Sequence, residues 1–593
     1  MTEIKKGCSF LFEQVGSSEI FTIEDIPEEQ RMFAKTAEDF IRKSVLPVEE
    51  ELEKKKGEVA VPLLKKAGEV GLLMADIPEK YGGLGLDKAV SALVTEKLSF
   101  NASFSVTFGA HTGIGTLPIV FYGNEEQKKK YLPKLATAEW IAAYALTEPG
   151  AGSDALNIKT TAKLSPDGKY YILNGTKQFI TNAGFADVIV TYAKVDGDKF
   201  TAFILERNFP GITIGPEEKK MGLKGSSTCP VILEDAKVPV ENVLGEIGKG
   251  HYIAFNILNM GRFKLGVACY GGAKEIINQI VNYGLERKQF NTPIIEFSAL
   301  KQKLADMTIL TYVGESMVYR TAGMIDNAIH TIDPNDPDYI KKVPKMIEEY
   351  AVEASIMKVA GSEALGVILD EAVQFLGGYG FIEEYKVEKA YRDARVNRIF
   401  EGTNEINRLL IQAMIGKRAM KGQIPLMEVV QKIREELEKG ERPVIKNGVL
   451  KEEMEATELA KKIALYVSNE AVMKYMGPEL EKQEQVLMKL SNMIIDLYGM
   501  DSVLGRVLKR IKAVGEDKMK TEIDIARTFV AEACDRIMNE AKRVLANLYQ
   551  GDELRAQLNK LSKWDIFLGF DTIRAKERIA DRVKEDRGWK LSI

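Results

Sequence analysis

Val188-Ile189-Val190-Thr191-Tyr192-Ala193-Lys194-Val195-Asp196-Gly197-Asp198-Lys199-Phe200-Thr201-Ala202-Phe203-Ile204-Leu205 is the passage on which the fold turns. β-Branched and aromatic residues crowd both halves, and Asp196-Gly197 between them suits a tight hairpin turn. Tyr170–Leu173 has the same texture, with Asp167-Gly168 just before it. These segments predict a β domain over 141–250, with its strands ending by about 245.

Outward from this sheet the pattern is helical on both sides. Towards the N-terminus, Arg31–Arg42, Val61–Gly71 and Lys88–Phe100 carry helix-spaced apolar residues. Pro78 and the Tyr81–Gly85 run break them. This gives a helical domain over 27–140 behind an extension, 1–26. Towards the C-terminus, helical periodicity holds over 251–422, interrupted by a polar helix–helix connection at Thr331–Val343. A further helical and highly charged region spans 423–593, entered through Gly440–Gly448, which reads as a mobile linker. The order is helices, sheet, helices, helices. Without strand–helix alternation, a doubly wound parallel sheet is excluded.

A chain of 593 residues exceeds one compact core, so two to four domains are expected. Lys and Arg number 82 against 86 Asp and Glu, so no basic excess points to nucleic acid. Four cysteines and three histidines are scattered along the chain, which argues against a metal site or a disulfide framework and fits a reducing cytosol. The first 22 residues lack the basic-then-apolar layout of a secretory signal. No run reads as long and apolar enough to span a bilayer.

Three stretches could carry chemistry. Tyr144–Asp154, with its Gly150-Ala151-Gly152 turn, and Asn174–Asn182 offer backbone N–H groups, hydroxyls and the aromatic Phe179. They read either as polar strand ends or as a bed for a planar heterocycle bearing phosphates. Gly377-Gly378-Tyr379-Gly380 reads first as a turn. The third stretch is Tyr391–Glu405, after which Ile406, Leu409, Leu410 and Met414 fall at helical spacing. Gly402-Thr403 therefore opens a helix with Thr403 as N-cap. Glu401 is either a carboxylate stabilised by that helix's dipole or a base beside an exposed N–H.

Taken together and in order, these stretches resemble the acyl-CoA dehydrogenase family over about 27–420. The matching segments are Leu146–Asp154, Asn174–Asn182, Glu286–Phe290, Gln374–Gly380, Arg392-Asp393 and Phe400–Asn404. Gly109-Ala110-His111, Asn259-Met260-Gly261-Arg262 and the extra C-terminal region bring it nearest the very-long-chain branch. The resemblance implies an α+β, mainly α fold: a helical domain, a β-barrel-like middle domain, a four-helix bundle and an additional helical domain. It implies non-covalent FAD approached by Leu146, Thr147, Gly152 and Ser153. Phe179 would cover one flavin face, where the family usually has Trp, and Thr181 would reach flavin N5. Thr403 and Glu405 would lie close to the same FAD. Arg287, Gln289, Phe290, Gln374, Gly377 and Gly378 would grip the FAD of a neighbouring subunit, which implies a homodimer or a dimer of dimers.

Glu401 is the base implied by the resemblance, because Gly261 occupies the position that carries it in some branched-chain members. Ser153, Gly109, Ala110, Arg262, Phe400 and Gly402 would meet the acyl-CoA, with small Gly109 and Ala110 giving a deep acyl tunnel. The activity implied is α,β-dehydrogenation of long-chain acyl-CoA to trans-2-enoyl-CoA in fatty acid β-oxidation, with electrons passed to electron-transferring flavoprotein. The alternatives are an acyl-CoA oxidase using O₂ or a non-catalytic flavin-binding scaffold. A cytoplasmic location is expected. Peripheral membrane contact through amphipathic stretches such as Gln485–Tyr498 is a further expectation, with packing on the core explaining those stretches equally well.

Overall fold

A computed structural model describes residues 4–592 apart from 334, 335 and 337. Its β domain is one curled sheet, built from β1 (Ala142–Ala145), β2 (Thr161–Leu164), β3 (Tyr170–Thr181), β4 (Val188–Val195), β5 (Lys199–Glu206), β6 (Ile212–Ile214), β7 (Thr228–Pro239) and β8 (Val243–Leu244). The order is β6-β7-β3-β2-β4-β5-β8, and β1 also pairs with β4. β4 and β5 form the hairpin expected from the quoted passage, in register from Val188↔Glu206 to Val195↔Lys199. Asp196 (φ 51°) and Gly197 (φ 90°) supply the positive dihedrals of its turn.

Both faces of this hairpin are buried, so its sequence is apolar almost throughout. Val190, Tyr192 and Ile204 join the helical core. Ile189, Phe203 and Leu205 join the sheet's own core with Leu173, Val231 and Leu233. The outer edge of β4 is shared. β1 pairs parallel with 188–191 and β2 pairs parallel with 194–195. Residues 146–160, between β1 and β2, are thereby pushed out of the sheet as a loop.

Before the sheet lie helices Glu28–Phe40, Gly57–Glu69, Lys88–Leu98, Ala102–Gly109 and Glu125–Ala136. After it come Gly250–Glu286, Ser298–Ile329, Ala351–Leu376 and Asn404–Met420. The first and third of these cross closely at glycines. A Cβ on Gly361 would lie 3.0 Å from Gly266 Cα. The stretch Ala102–Tyr122 has the length and mean hydropathy of a membrane span, contrary to the sequence reading, but most of it is buried inside the protein.

The C-terminal helices Lys451–Tyr475, Glu484–Val514, Lys520–Leu548 and Thr572–Glu585 share one hydrophobic core with the bundle. Buried ion pairs cross the boundary. Arg506 meets Glu315 of the bundle and Glu24 of the N-terminal extension, each at 2.6 Å. Asp501 takes both Arg320 and Lys461. The extension acts as a strap, with Cys8 N–H donating to Glu353 and Val15 N–H to Glu458.

Three sequence expectations change here. The 440–448 segment is pinned rather than mobile: Trp564 Nε1 donates to Glu441 O, Arg442 to Asp565 O, and Ile445 N–H to Glu455. Most of the apolar face of Gln485–Tyr498, including Leu490, Met493, Ile494 and Leu497, is buried in the common core, so packing on the core accounts for its amphipathic pattern. Residues 334, 335 and 337 of the expected connection lie outside the described residues, and from Tyr339 the chain is helical again, to Glu349.

Candidate active site

Glu401 sits on a backbone turn that the fold holds tightly. Glu401 (φ 59°) and Gly402 (φ 81°) are both left-handed. Such a conformation is uncommon for a residue with a side chain and needs support from its surroundings. Asn407 Nδ2 donates to the carbonyls of Gly402 and Thr403 at 2.9 and 3.0 Å and to that of Glu401 at 3.3 Å. Arg262 Nε donates to Glu401 O at 3.1 Å. Thr403 caps the following helix, its hydroxyl accepting from Ile406 N–H.

The Glu401 carboxylate rests on Gly261. A Cβ built there would lie 2.7 Å from Oε2, so no side chain fits at 261 while Glu401 keeps its place. Oε2 is buried without a hydrogen-bond partner, and so is the nearby Tyr144 hydroxyl. Burial pushes the Glu401 carboxyl up to about 7, against the pull of Arg262 and then Lys358. No described residue accepts a bond from the Glu401 N–H. The result is a basic carboxylate beside a free amide donor.

The 146–160 loop is closed at its base by Glu148. That carboxylate accepts from Thr160 N–H and from buried Lys177 at 2.8 Å. Gln178 N–H donates to Thr147 O at 2.8 Å, which sets Leu146 and Thr147 beside β3. Gly152 and Ser153 are exposed at the loop tip, where a Cβ on Gly150 or Gly152 would meet no atom within 4 Å. Phe179 rides a break in the β3–β7 register with φ 60° and is 61% exposed, so it is free to cover a flat ligand. Thr181 follows in the same strand, paired with Thr228. Tyr144, two residues before Leu146, joins this group to Glu401. Open glycine backbone, an exposed ring and unpartnered buried polar atoms fit a flavin with its phosphates.

Arg287, Gln289, Phe290, Gln374, Gly377 and Gly378 form a second group elsewhere. A hairpin pairs Lys288–Gln289 with Thr292–Pro293 and lifts Phe290 (φ 50°) to 90% exposure. The Arg287 guanidinium lies over the Tyr379 ring at 5.3 Å. Gly377 (φ 61°) and Gly378 are open, and Gln374 is exposed. Arg287 follows Gly261 by 26 positions of nearly continuous helix, ~39 Å at 1.5 Å per residue. The chain does not bring this group to its own Glu401.

Of the residues expected at the substrate, Gly109 faces open space and Ala110 begins a widened π-helical stretch, Ala110–Gly115. His111 is a buried pin between Ala142 N–H and Leu135 O, pushed down to about 4 by burial. Phe400 and Gly402 flank the base. Arg262 is turned to the Glu401 carbonyl and to Asn259, so it supports the turn. Sequence reasoning gave no role to Tyr144, Asn407 or Lys358. Only Lys358, a lone cation in an otherwise apolar run, carried a signal.

Family models match most of the chain in register with these parts. The acyl-CoA dehydrogenase N-terminal domain matches 27–139, the middle domain 143–236 and the C-terminal domain 248–416, with a second C-terminal domain model on 459–563. The chain belongs to the acyl-CoA dehydrogenase family. It is an FAD-dependent oxidoreductase and binds FAD non-covalently, as this family does. It is 50% identical to a probable acyl-CoA dehydrogenase of Bacillus subtilis (strain 168), over 98% of both chains. It is 36% identical to the human mitochondrial very long-chain specific acyl-CoA dehydrogenase, over 84% of this chain and 77% of that one. The crystal structure of an acyl-CoA dehydrogenase complexed with FAD from Bacillus anthracis superposes with a TM-score of 0.97, at 49% identity, over 99% of this chain and 100% of that one. Butyryl-CoA dehydrogenase from Megasphaera elsdenii superposes at a TM-score of 0.60 and 35% identity, over 66% of this chain and 99% of that one.

Proposed function

We propose that the protein dehydrogenates long-chain acyl-CoA to trans-2-enoyl-CoA in fatty acid β-oxidation, with Glu401 as the base. The observation that carries this reading is the Glu401 carboxylate, raised to about 7 by burial and with its Oε2 partnerless, beside its own unbonded N–H. FAD supplies the two-electron acceptor. Glu401 accepts the α-proton, and its N–H is placed to hold the thioester oxygen as negative charge develops there. Arg262 and Asn407 keep that N–H and that carboxylate in fixed relation. Leu146, Thr147, Gly152, Ser153, Phe179, Thr181, Thr403 and Glu405 hold the flavin.

A long acyl chain fits the open space at Gly109 and the small side chain of Ala110, and each buried CH₂ adds about 0.8 kcal/mol. Arg287, Gln289, Phe290, Gln374, Gly377 and Gly378 serve a neighbouring subunit's FAD, because ~39 Å of helix separates Arg287 from the Glu401 end of its own chain. This makes the working unit at least a dimer. Electron-transferring flavoprotein is the proposed acceptor and the cytoplasm the proposed location, in keeping with four free, buried cysteines. Any peripheral membrane contact would use a surface other than 485–498.

The test is the visible spectrum of the purified holoenzyme under anaerobic titration with C8 to C20 acyl-CoAs. Bleaching strongest at long chains is expected, together with slow peroxide formation in air. No bleaching at any length would leave the scaffold alternative, and rapid peroxide formation would make the protein an oxidase.

A further inference from the structure

We propose that Lys358 is a positioning residue for the base: its ammonium, bonded to Asn404 beneath the Glu401–Asn404 turn, fixes that turn and brings a positive charge to the base. The inference rests on the reading of Glu401 as the base.

Lys358 lies in the Ala351–Leu376 helix among buried Ile356, Met357 and Val359, and none of its own surface is exposed. Its Nζ donates to Asn404 Oδ1 at 2.6 Å. It has no salt bridge among the described residues. Asn404 is the first residue of the helix that follows Glu401-Gly402-Thr403, and its amide is oriented on both sides. Ser362 Oγ also donates to Oδ1, while Nδ2 donates to Ser362 Oγ and to Glu363. Glu363 is held in turn by both terminal nitrogens of Arg408, at 2.7 and 2.8 Å. The ammonium is thus tied to the base by four residues of chain and one side-chain amide.

An unpaired buried cation is costly, and methionine would fill the same space without that cost. Packing therefore does not account for a lysine here. The charged and titratable groups facing it are the Cys269 thiol, Glu401, Arg262 and Glu405, and of the carboxylates Glu401 acts on it most strongly. Burial pulls the lysine down to about 8, so it is still mostly charged near pH 7. From the other side, Lys358 and Arg262 are the two cations that oppose the rise of the Glu401 carboxyl through burial. A base is most useful with a pKa near the working pH. Burial alone would carry Glu401 further up, and Arg262 and then Lys358 draw it back.

The test is Lys358→Met in the holoenzyme, followed by anaerobic bleaching with palmitoyl-CoA from pH 5.5 to 9.5. Flavin content is expected to stay as in the parent. The acid limb of the rate is expected to move alkaline by roughly one pH unit, as for loss of one nearby opposite charge. The rate then falls about five-fold at pH 7 and converges with the parent near pH 9. An unmoved limb, whatever the absolute rate, would overturn the proposal, because a lysine that only supports the fold changes rate or flavin content without moving the limb. If Lys358→Met does not accumulate, Asn404→Asp sets a carboxylate against the ammonium and carries the same prediction. Bleaching that survives Glu401→Gln would remove the base reading itself, an outcome separate from an unmoved limb in a protein that still needs Glu401.

Discussion

Glu401→Gln is the sharpest perturbation available, because the structure predicts two independent consequences of it. The amide keeps the size of the side chain and leaves the Glu401 N–H and the Gly261 contact in place, so FAD and acyl-CoA are expected to bind. The proton acceptor is lost. Removal of a general base commonly costs about 10²–10⁴-fold, and the upper end is expected here, since Oε2 is buried and water has poor access to replace it. In the parent, a carboxyl at about 7 places the acid limb of bleaching near pH 7, with a rate at pH 6 about a tenth of the plateau.

The second consequence is thermodynamic. The folded-state carboxyl is raised from 4.5 to about 7, so the folded protein holds that proton more tightly than the unfolded chain. The stability this contributes is full below pH 4.5 and is lost as pH rises through 7. Glutamine has no such proton. Relative to the parent, the substrate-free variant is therefore expected to gain about 2–3 kcal/mol between pH 5 and pH 8. Stopped-flow bleaching and denaturant unfolding at the two pH values read the two effects. Bleaching within ten-fold of the parent would refute the assignment of the base, and a stability difference that does not change with pH would refute the burial argument.

Gly261→Ala puts a methyl 2.7 Å from Oε2, too close for the carboxylate to keep its place, so flavin content is expected to hold while bleaching slows at least ten-fold; an unchanged rate would show that the base tolerates displacement. Arg287→Ala is expected to lower flavin occupancy in the assembled enzyme through loss of a charge-assisted contact, measured as the ratio of flavin to protein absorbance. Ala110→Gln fills the space beside Gly109 and is expected to move the optimum of kcat/KM to shorter chains, checked with a C8 to C20 series; an unmoved optimum would place the tunnel elsewhere. Arg506→Met takes its ion-pair partner from the partly buried Glu24 and leaves buried Glu315 with Lys274 alone to balance it, and is expected to cost about 3–5 kcal/mol in denaturant unfolding.

The order of helices, sheet and helices, the hairpin at Asp196-Gly197 and the cap at Thr403 were legible because each depends on neighbours in sequence: residue texture, a turn dipeptide and the spacing of an apolar stripe. Glu401 itself stood out only within its motif, since a glutamate before a helix is equally a dipole partner. What made it basic is tertiary. Gly261, 140 positions earlier in the chain, leaves room for the carboxylate, and packing buries it near Arg262 and Lys358. The 440–448 linker failed as a sequence reading for the same reason. Its polar composition permitted mobility, but Trp564 and Asp565 supply partners that only folding brings together. Lys358 marks the limit most plainly. The sequence shows a lysine in an apolar helix, while its effect on Glu401 depends on the packing that sets Asn404 against it. Local pattern fixes which elements form; the electrostatics of a buried group depend on long-range packing, because only packing decides which charges lose their water and which neighbours replace it.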